Sequence, residues 1–190
     1  SSTILVECST IDIKSAHSIT ELANNNNLIT LDAPVSGGVV GAIDGTLTFM
    51  VGGNKHAFEK IKSIFEIMGN KAVYCGSSGS GQAAKMCNNM ILGISMIGVC
   101  EAFALAEKIG LDKKKLYEVS SSSSGSCWAL NTYCPAPGVG PKTPADNNYL
   151  PGFAAELMLK DLNLAQSAAK QSNTYTPLGQ HAMEIYDELV

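Results

Sequence analysis

Residues 79–109 read GSGQAAKMCNNMILGISMIGVCEAFALAEKI. From Gly81 to Ile109 no proline interrupts an apolar, helix-compatible run of up to 29 residues. At 1.5 Å per residue such a helix extends roughly 40 Å, enough to cross a small domain. Apolar residues fall on nearly every side of it, so it is expected to be buried on nearly every side. The candidate covers are helices predicted at Lys113–Ser120, Ala154–Gln171 and Leu178–Leu189, together with a second subunit. The segment from Gly81 onward therefore reads as an all-helical domain built on one long central helix.

Upstream the periodicity is different. Ile4-Leu5-Val6 and Leu28-Ile29-Thr30-Leu31 are β-rich and flank a helix-like segment, Ser15–Ala23, with the polar turn Asn24–Asn27 before the second strand. Leu47–Val51, closed by Gly52-Gly53, predicts another strand. His56–Met68 carries a helical stripe of Phe58, Ile61, Ile64, Phe65 and Met68, and Ala72–Cys75 closes the series as a short strand. Short apolar strands alternating with amphipathic helices predict a mostly parallel sheet covered by helices. No GxGxxG occurs in the chain, so the sequence is expected to begin partway through such a domain. The expected division is 1–78, a partial α/β domain, and 79–190, the helical one.

The composition sets partner classes aside. A net charge of −4, no arginine, and no basic run beyond Lys113-Lys114-Lys115 leave no electrostatic footprint for nucleic acid. Those three lysines, just after Gly110, read as a cationic last turn or a solvated helix start. The most apolar stretch, Met90–Cys100, has eleven residues and ends at Glu101, which argues against a membrane span. Six cysteines are scattered without a CxxC or a Cys/His cluster, so no metal site is indicated and the thiols read as small buried hydrophobes in a reducing compartment. No leader segment is visible ahead of the first strand. His17, His56 and His181 read as surface histidines.

Three segments can carry chemistry. Lys85 and Asn89, four apart, project from one face of the long helix one turn apart. A lysine held there gains a function when desolvation lowers its pKa toward neutrality, because it can then exchange a proton with a substrate hydroxyl; spacing alone also accommodates a lysine reaching back to solvent. In Asp32-Ala33-Pro34-Val35-Ser36-Gly37-Gly38 a strand runs into glycines whose backbone N–H groups could face an anion, or that form an ordinary turn. Gly152-Phe153 and Lys160-Asp161-Leu162 follow a loop, Tyr133–Pro151, that holds five of the seven prolines; by periodicity Lys160 and Asp161 are a solvated helix face.

Taken together these stretches, with Ser9-Thr10-Ile11-Asp12, Leu47–Gly53, Cys127-Trp128 and Asn147-Asn148-Tyr149, resemble the β-hydroxyacid dehydrogenase family along nearly the whole chain. The resemblance implies a partial Rossmann-type domain lacking the phosphate loop and the acidic ribose-binding position, followed by the helical domain. It implies Lys85 as general acid/base, Ser36, Gly37 and Gly38 holding a substrate carboxylate, and Asn89 orienting the substrate. Thr10 and Lys160 are implied as contacts of an NAD cofactor, with Phe153 and Asp161 lining or supporting the site, which the family places in an interdomain cleft. The implied substrate is a small hydroxyacid, 3-hydroxyisobutyrate, with tartronate semialdehyde or glyoxylate/succinic semialdehyde reduction as the family's other activities. Also implied are a mitochondrial location and a homodimer, or dimer of dimers, through the helical domain. A non-catalytic dimerisation module is the reading from another class, and the presence of Lys85 argues against it. The sequence departs from the family pattern at Ile13, where proline is usual, at Ser126, where arginine is common, and in stopping before the usual last helix.

Overall fold

The computed structural model describes residues 3–190. Ser1 and Ser2, on which the expectation of no leader falls, lie outside the described residues. The chain divides into two compact units, Ser1–Asn88 with Asn163–Tyr175, and Asn89–Leu162 with Thr176–Val190. The boundary between these compact units falls inside the long helix, which contributes residues to both.

The first unit holds a five-stranded sheet. Strands β1 (Ile4–Glu7) and β2 (Ile29–Asp32) run parallel, joined by α1 (Ile13–Asn25), whose N-terminus is capped by Asp12 accepting from the Ser15 N–H. Past β2 the chain bends at Ala33-Pro34 into β3 (Val35–Ser36), turns through α2 (Gly38–Ile43), and returns as β4 (Leu47–Gly53). β4 is antiparallel to both: Leu31 pairs with Gly53, Asp32 with Gly52, Val35 with Phe49 and Ser36 with Thr48. The Met50 N–H donates to the Pro34 carbonyl at 3.0 Å. Thus β2 and β3 are one line of pairing with a single register, interrupted where proline has no N–H to offer. On its other edge β4 pairs in parallel with β5 (Gly69–Gly76), reached through α3 (Lys55–Met68).

The expected mostly parallel sheet is therefore a mixed one. A helix-bearing crossover of a dozen or more residues normally joins parallel neighbours, and the connection between β3 and β4 holds only the six-residue α2, so the chain folds back as a wide hairpin. The core of this unit is Leu31, Ala33, Phe49, Val51, Ala57, Phe58 and Phe65. Phe49 and Phe65 lie 4.8 Å apart, centroid to centroid. Burying each such side chain contributes about 1.5–3 kcal/mol.

The long helix α4 (Ser80–Lys108) is continuous, as its sequence predicts. It leads to α5 (Lys113–Ser120), α6 (Trp128–Asn131), a 3-10 turn at Pro144–Asn147, α7 (Ala155–Gln171) and α8 (Pro177–Leu189). Lys113–Lys115 form the solvated first turn of α5, capped by Asp112. In the second unit Val99 packs with Ala129, Leu130 and Cys134, and Met158, Leu162 and Ala182 form another cluster with Met90, Ile94 and Tyr186.

Within this single chain α4 is not buried on nearly all sides. Ile91 and Leu105 are 64% and 61% exposed, and only 17% of the helix's most apolar stretch is buried. By length and composition α4 is long and apolar enough to cross a membrane, which the eleven-residue count understates because the helix runs on through the polar positions at both ends of that stretch. The cysteines depart from expectation for the same reason: Cys87 and Cys100 sit on uncovered faces of α4, Cys8 is exposed too, and Cys134 alone of the six is buried.

Candidate active site

Asp32 ends β2 and is buried, at 5% exposure. Its carboxylate accepts from the Gly79 N–H at 2.8 Å and the Gln82 N–H at 3.1 Å. The start of a helix leaves backbone N–H groups without intrahelical partners, and a carboxylate there also meets the positive end of the helix dipole. Strand end and helix start are in close apposition: a Cβ on Gly81 would lie 2.3 Å from the Met50 carbonyl oxygen, and one on Gly52 would lie 2.7 Å from an Asp32 carboxylate oxygen. Only glycine allows that approach.

One turn further along α4, Lys85 is 8% exposed. Its Nζ donates to the Val35 carbonyl at 2.8 Å. Val35 immediately precedes Ser36-Gly37-Gly38, so the structure brings the amine to the segment the sequence pairs with it. Gly37 and Gly38 have φ of 133° and 61°, and a side chain on Gly38 would meet nothing within 4 Å. The segment is thus a left-handed turn beside a buried amine, packed against Leu47 at Gly37 and open at Gly38.

Gln82, fully buried, grips the segment after β1 from both sides. Its Oε1 accepts from the Ile11 N–H at 3.1 Å and its Nε2 donates to the Ser9 carbonyl at 2.8 Å, which fixes the half-buried Thr10 between them. The Ser9 hydroxyl and N–H hold the Glu7 carboxyl below its ordinary range.

In the second unit Asn89 is 1% and Asp161 3% exposed, and the Asn89 Nδ2 donates to Asp161 Oδ2 at 2.5 Å. A carboxylate only accepts, so this contact fixes which end of the amide faces it. Lys160 Nζ lies 3.3 Å from Asp161 Oδ1 with its side chain about half exposed. The solvated face expected at 160–161 therefore holds for Lys160 and fails for Asp161, because α7 turns that position toward α4. The half-buried Phe153 donates its N–H to the Tyr133 hydroxyl at 3.1 Å, and Tyr133 stacks on Trp128 at 5.2 Å.

Sequence reasoning alone misses the anchoring work of Asp32, Gln82 and Tyr133. A buried-looking Asp between a β-rich run and a proline, and a Gln in the first turn of a predicted helix, are the signals it offers for the first two. Tyr133, inside a proline-rich loop, offers none.

Fold and site together define a chain with an α/β part of Rossmann-like architecture followed by an all-helical part. Residues 79–190 match the family described as NAD-binding of NADP-dependent 3-hydroxyisobutyrate dehydrogenase, and residues 1–76 match the NAD binding domain of 6-phosphogluconate dehydrogenase. The chain belongs to the 3-hydroxyisobutyrate dehydrogenase family. It is 50% identical over 184 residues to a Pseudomonas aeruginosa NAD-dependent L-serine dehydrogenase, covering 97% of this chain and 62% of that one. It is 47% identical to the mitochondrial 3-hydroxyisobutyrate dehydrogenase of Drosophila melanogaster, covering 98% of this chain and 58% of the relative. A solved structure of Mycobacterium tuberculosis 3-hydroxyisobutyrate dehydrogenase with L-serine superposes with a TM-score of 0.94 at 45% identity, covering 99% of this chain and 65% of that one. The chain thus spans less than two thirds of the length of these relatives.

Proposed function

We propose that the protein carrying this chain is an NAD-dependent β-hydroxyacid dehydrogenase that oxidises 3-hydroxyisobutyrate to methylmalonate semialdehyde, a step of valine breakdown. The observation that carries the reading is the buried amine of Lys85, held 2.8 Å from the Val35 carbonyl beside the turn at Ser36-Gly37-Gly38. A carboxylate on that turn would take backbone N–H groups and the Ser36 hydroxyl. A 3-hydroxyacid carries its alcohol two carbons from the carboxyl carbon, so anchoring one end limits where the other can reach.

Lys85, neutral in the oxidising direction, takes the hydroxyl proton on Nζ; in the reducing direction its ammonium returns it. The Val35 carbonyl fixes the amine's direction. Asn89, oriented by Asp161, aligns the substrate. The residues present fit a dinucleotide in one respect visible here: Thr10 is immobilised by Gln82 just beyond the carboxyl end of the parallel pair β1–β2, where such cofactors bind. Thr10, Phe153 and Lys160 are assigned to cofactor contact. When bound, the nicotinamide supplies the hydride acceptor.

Replacing Lys85 by Met in the full-length protein is expected to lower kcat by about 100- to 10,000-fold, the usual worth of a positioned acid/base, with cofactor still bound in a fluorescence titration. Unchanged turnover removes Lys85 from the reaction. A second reading, L-serine oxidation, is favoured by the name of the Pseudomonas relative and by the L-serine that accompanies the mycobacterial structure. The two substrates share a primary alcohol and a carboxylate and differ in a methyl against an ammonium. Steady-state kcat/KM for 3-hydroxyisobutyrate, L-serine and tartronate semialdehyde decides among them.

The homodimer belongs to the same proposal. Ile91, Ser95, Gly98, Ala102 and Leu105 recur on α4 at alternating spacings of about four and three, a seam a second helix can fill. A mitochondrial location rests on the names of eukaryotic relatives, and cell fractionation tests it.

A further inference from the structure

We infer that Asp32 is a positioning residue for this chemistry, the part that sets the distance between the amine of Lys85 and the turn at Ser36-Gly37-Gly38. This rests on the proposed role of Lys85. Among the attachments that tie the β2–β3 line to α4 are, first, the Asp32 carboxylate on the Gly79 and Gln82 N–H groups and, second, the Lys85 amine on the Val35 carbonyl. The second is made by a long side chain with four rotatable bonds and cannot by itself fix where the helix lies. The first is short, made by a side chain with two torsions and by backbone N–H groups, and is confined on both sides. Gly52 would place a Cβ 2.7 and 2.8 Å from the two carboxylate oxygens, and Gly81 one 2.8 Å from Oδ2. The backbone at Gly52 and Gly81 thus closes on the carboxylate from both sides, so a link one methylene longer has to push against it. The carboxylate is also three residues before Val35 on a line whose register with β4 is continuous, so its position and that of the turn are set by the same ladder. Asp32 therefore carries the sheet's geometry into the helix that bears the amine.

An ordinary helix cap is satisfied by any side chain that accepts from the N–H groups. A spacer is not. Asp32→Glu keeps the charge and both acceptor oxygens and lengthens the link by one carbon; Asp32→Asn keeps the length and loses one acceptor, since the amide nitrogen cannot receive an N–H. In the full-length protein both variants are made beside Lys85→Met, and thermal unfolding, kcat, the KM for each substrate and the primary isotope effect on kcat with hydroxyacid deuterated at the reacting carbon are measured. The expected result is that Asp32→Glu melts within a few degrees of the parent, loses about 10- to 100-fold in kcat as a misplacement near 1 Å costs, keeps its cofactor KM, and shows a larger isotope effect because the chemical step has become slower. Asp32→Asn is expected to lose at least tenfold in kcat as well.

Full turnover in Asp32→Glu overturns the inference and leaves Asp32 a cap; so does a kcat loss in both variants that only tracks the folded fraction, with the isotope effect unchanged. If Asp32→Glu does not fold, Asp32→Asn decides by the same isotope criterion. Should Lys85→Met keep parental turnover, the acid/base assignment itself falls, an outcome separable from the others because it is read in a different variant.

Discussion

Gly81→Ala puts two opposing effects in competition. Replacing glycine by alanine inside a helix normally stabilises by up to about 1 kcal/mol, because alanine loses less backbone freedom on folding. Here the added Cβ would stand 2.3 Å from the Met50 carbonyl oxygen and 2.8 Å from that of Asp32. Close carbon–oxygen contacts settle near 3.3 Å, so the start of α4 must retreat from β4 by about 1 Å. Both obstructing atoms are backbone, in strands paired on each side, and neither can rotate away. Overpacking of this kind costs about 1–3 kcal/mol, and the net expectation is destabilisation by about 1–2 kcal/mol. The same retreat carries Lys85 away from the β3 turn, which should reduce kcat roughly 100-fold. Urea unfolding and steady-state turnover of the full-length variant check the two numbers. Gly93→Ala is the control: its Cβ would meet the ends of the Leu162 side chain at 3.2 and 3.3 Å, flexible atoms that can shift, so a smaller loss is expected. Parental stability and turnover in Gly81→Ala would refute the idea that β4 and α4 are held at a fixed spacing.

Asp12→Ala removes the α1 cap, in which Asp12 accepts from the Ser15 hydroxyl and N–H at 2.6 and 2.9 Å, and should cost about 1 kcal/mol at neutral pH in chemical denaturation. The Ser15 hydroxyl, and then its N–H, hold the Asp12 carboxyl below its ordinary value, so this stabilisation is present above the unfolded-state pKa and fades as pH falls through the lower folded-state pKa; parent and variant should converge in acid. Burial pushes the Tyr186 hydroxyl up to about 12, so its contribution is intact below the unfolded-state value near 10 and is lost as pH rises from there toward 12. Tyr186→Phe should flatten that alkaline decline, followed by circular dichroism melts across pH 9–11.5. Leu105→Glu, placing a charge in the exposed α4 seam, is expected to convert a dimer to monomer in size-exclusion chromatography with light scattering; a parental elution mass would remove that seam from the interface.

The long helix is legible because no proline breaks residues 81–109 and the spacing of Lys85 and Asn89 needs only helical geometry. The reversal of β4 is not, because Leu47–Val51 carries the same apolar signal in either direction, and the short β3 and α2 are too brief for periodicity to register. Exposure on α4 escapes the sequence since hydropathy reports what a residue prefers to face and says nothing of whether the same chain supplies the cover. Asp161 looks solvated because adjacent opposite charges usually are; its burial follows from the amide of Asn89, which sequence places 72 positions away. The Ser36–Gly38 turn and Lys85 can each be singled out, while their meeting through Val35 depends on a tertiary contact.

The excursion from Gly37 to Thr46 is the loop of a hairpin closed at its base by rungs in one register, with Val35 opposite Phe49 and Ser36 opposite Thr48. Its two ends are therefore pinned independently of what lies between them. Lengthening or replacing residues 39–46 should reshape the surroundings of the Ser36-Gly37-Gly38 turn while leaving the seat of Lys85 on the Val35 carbonyl untouched, which makes that stretch a practical one for grafting.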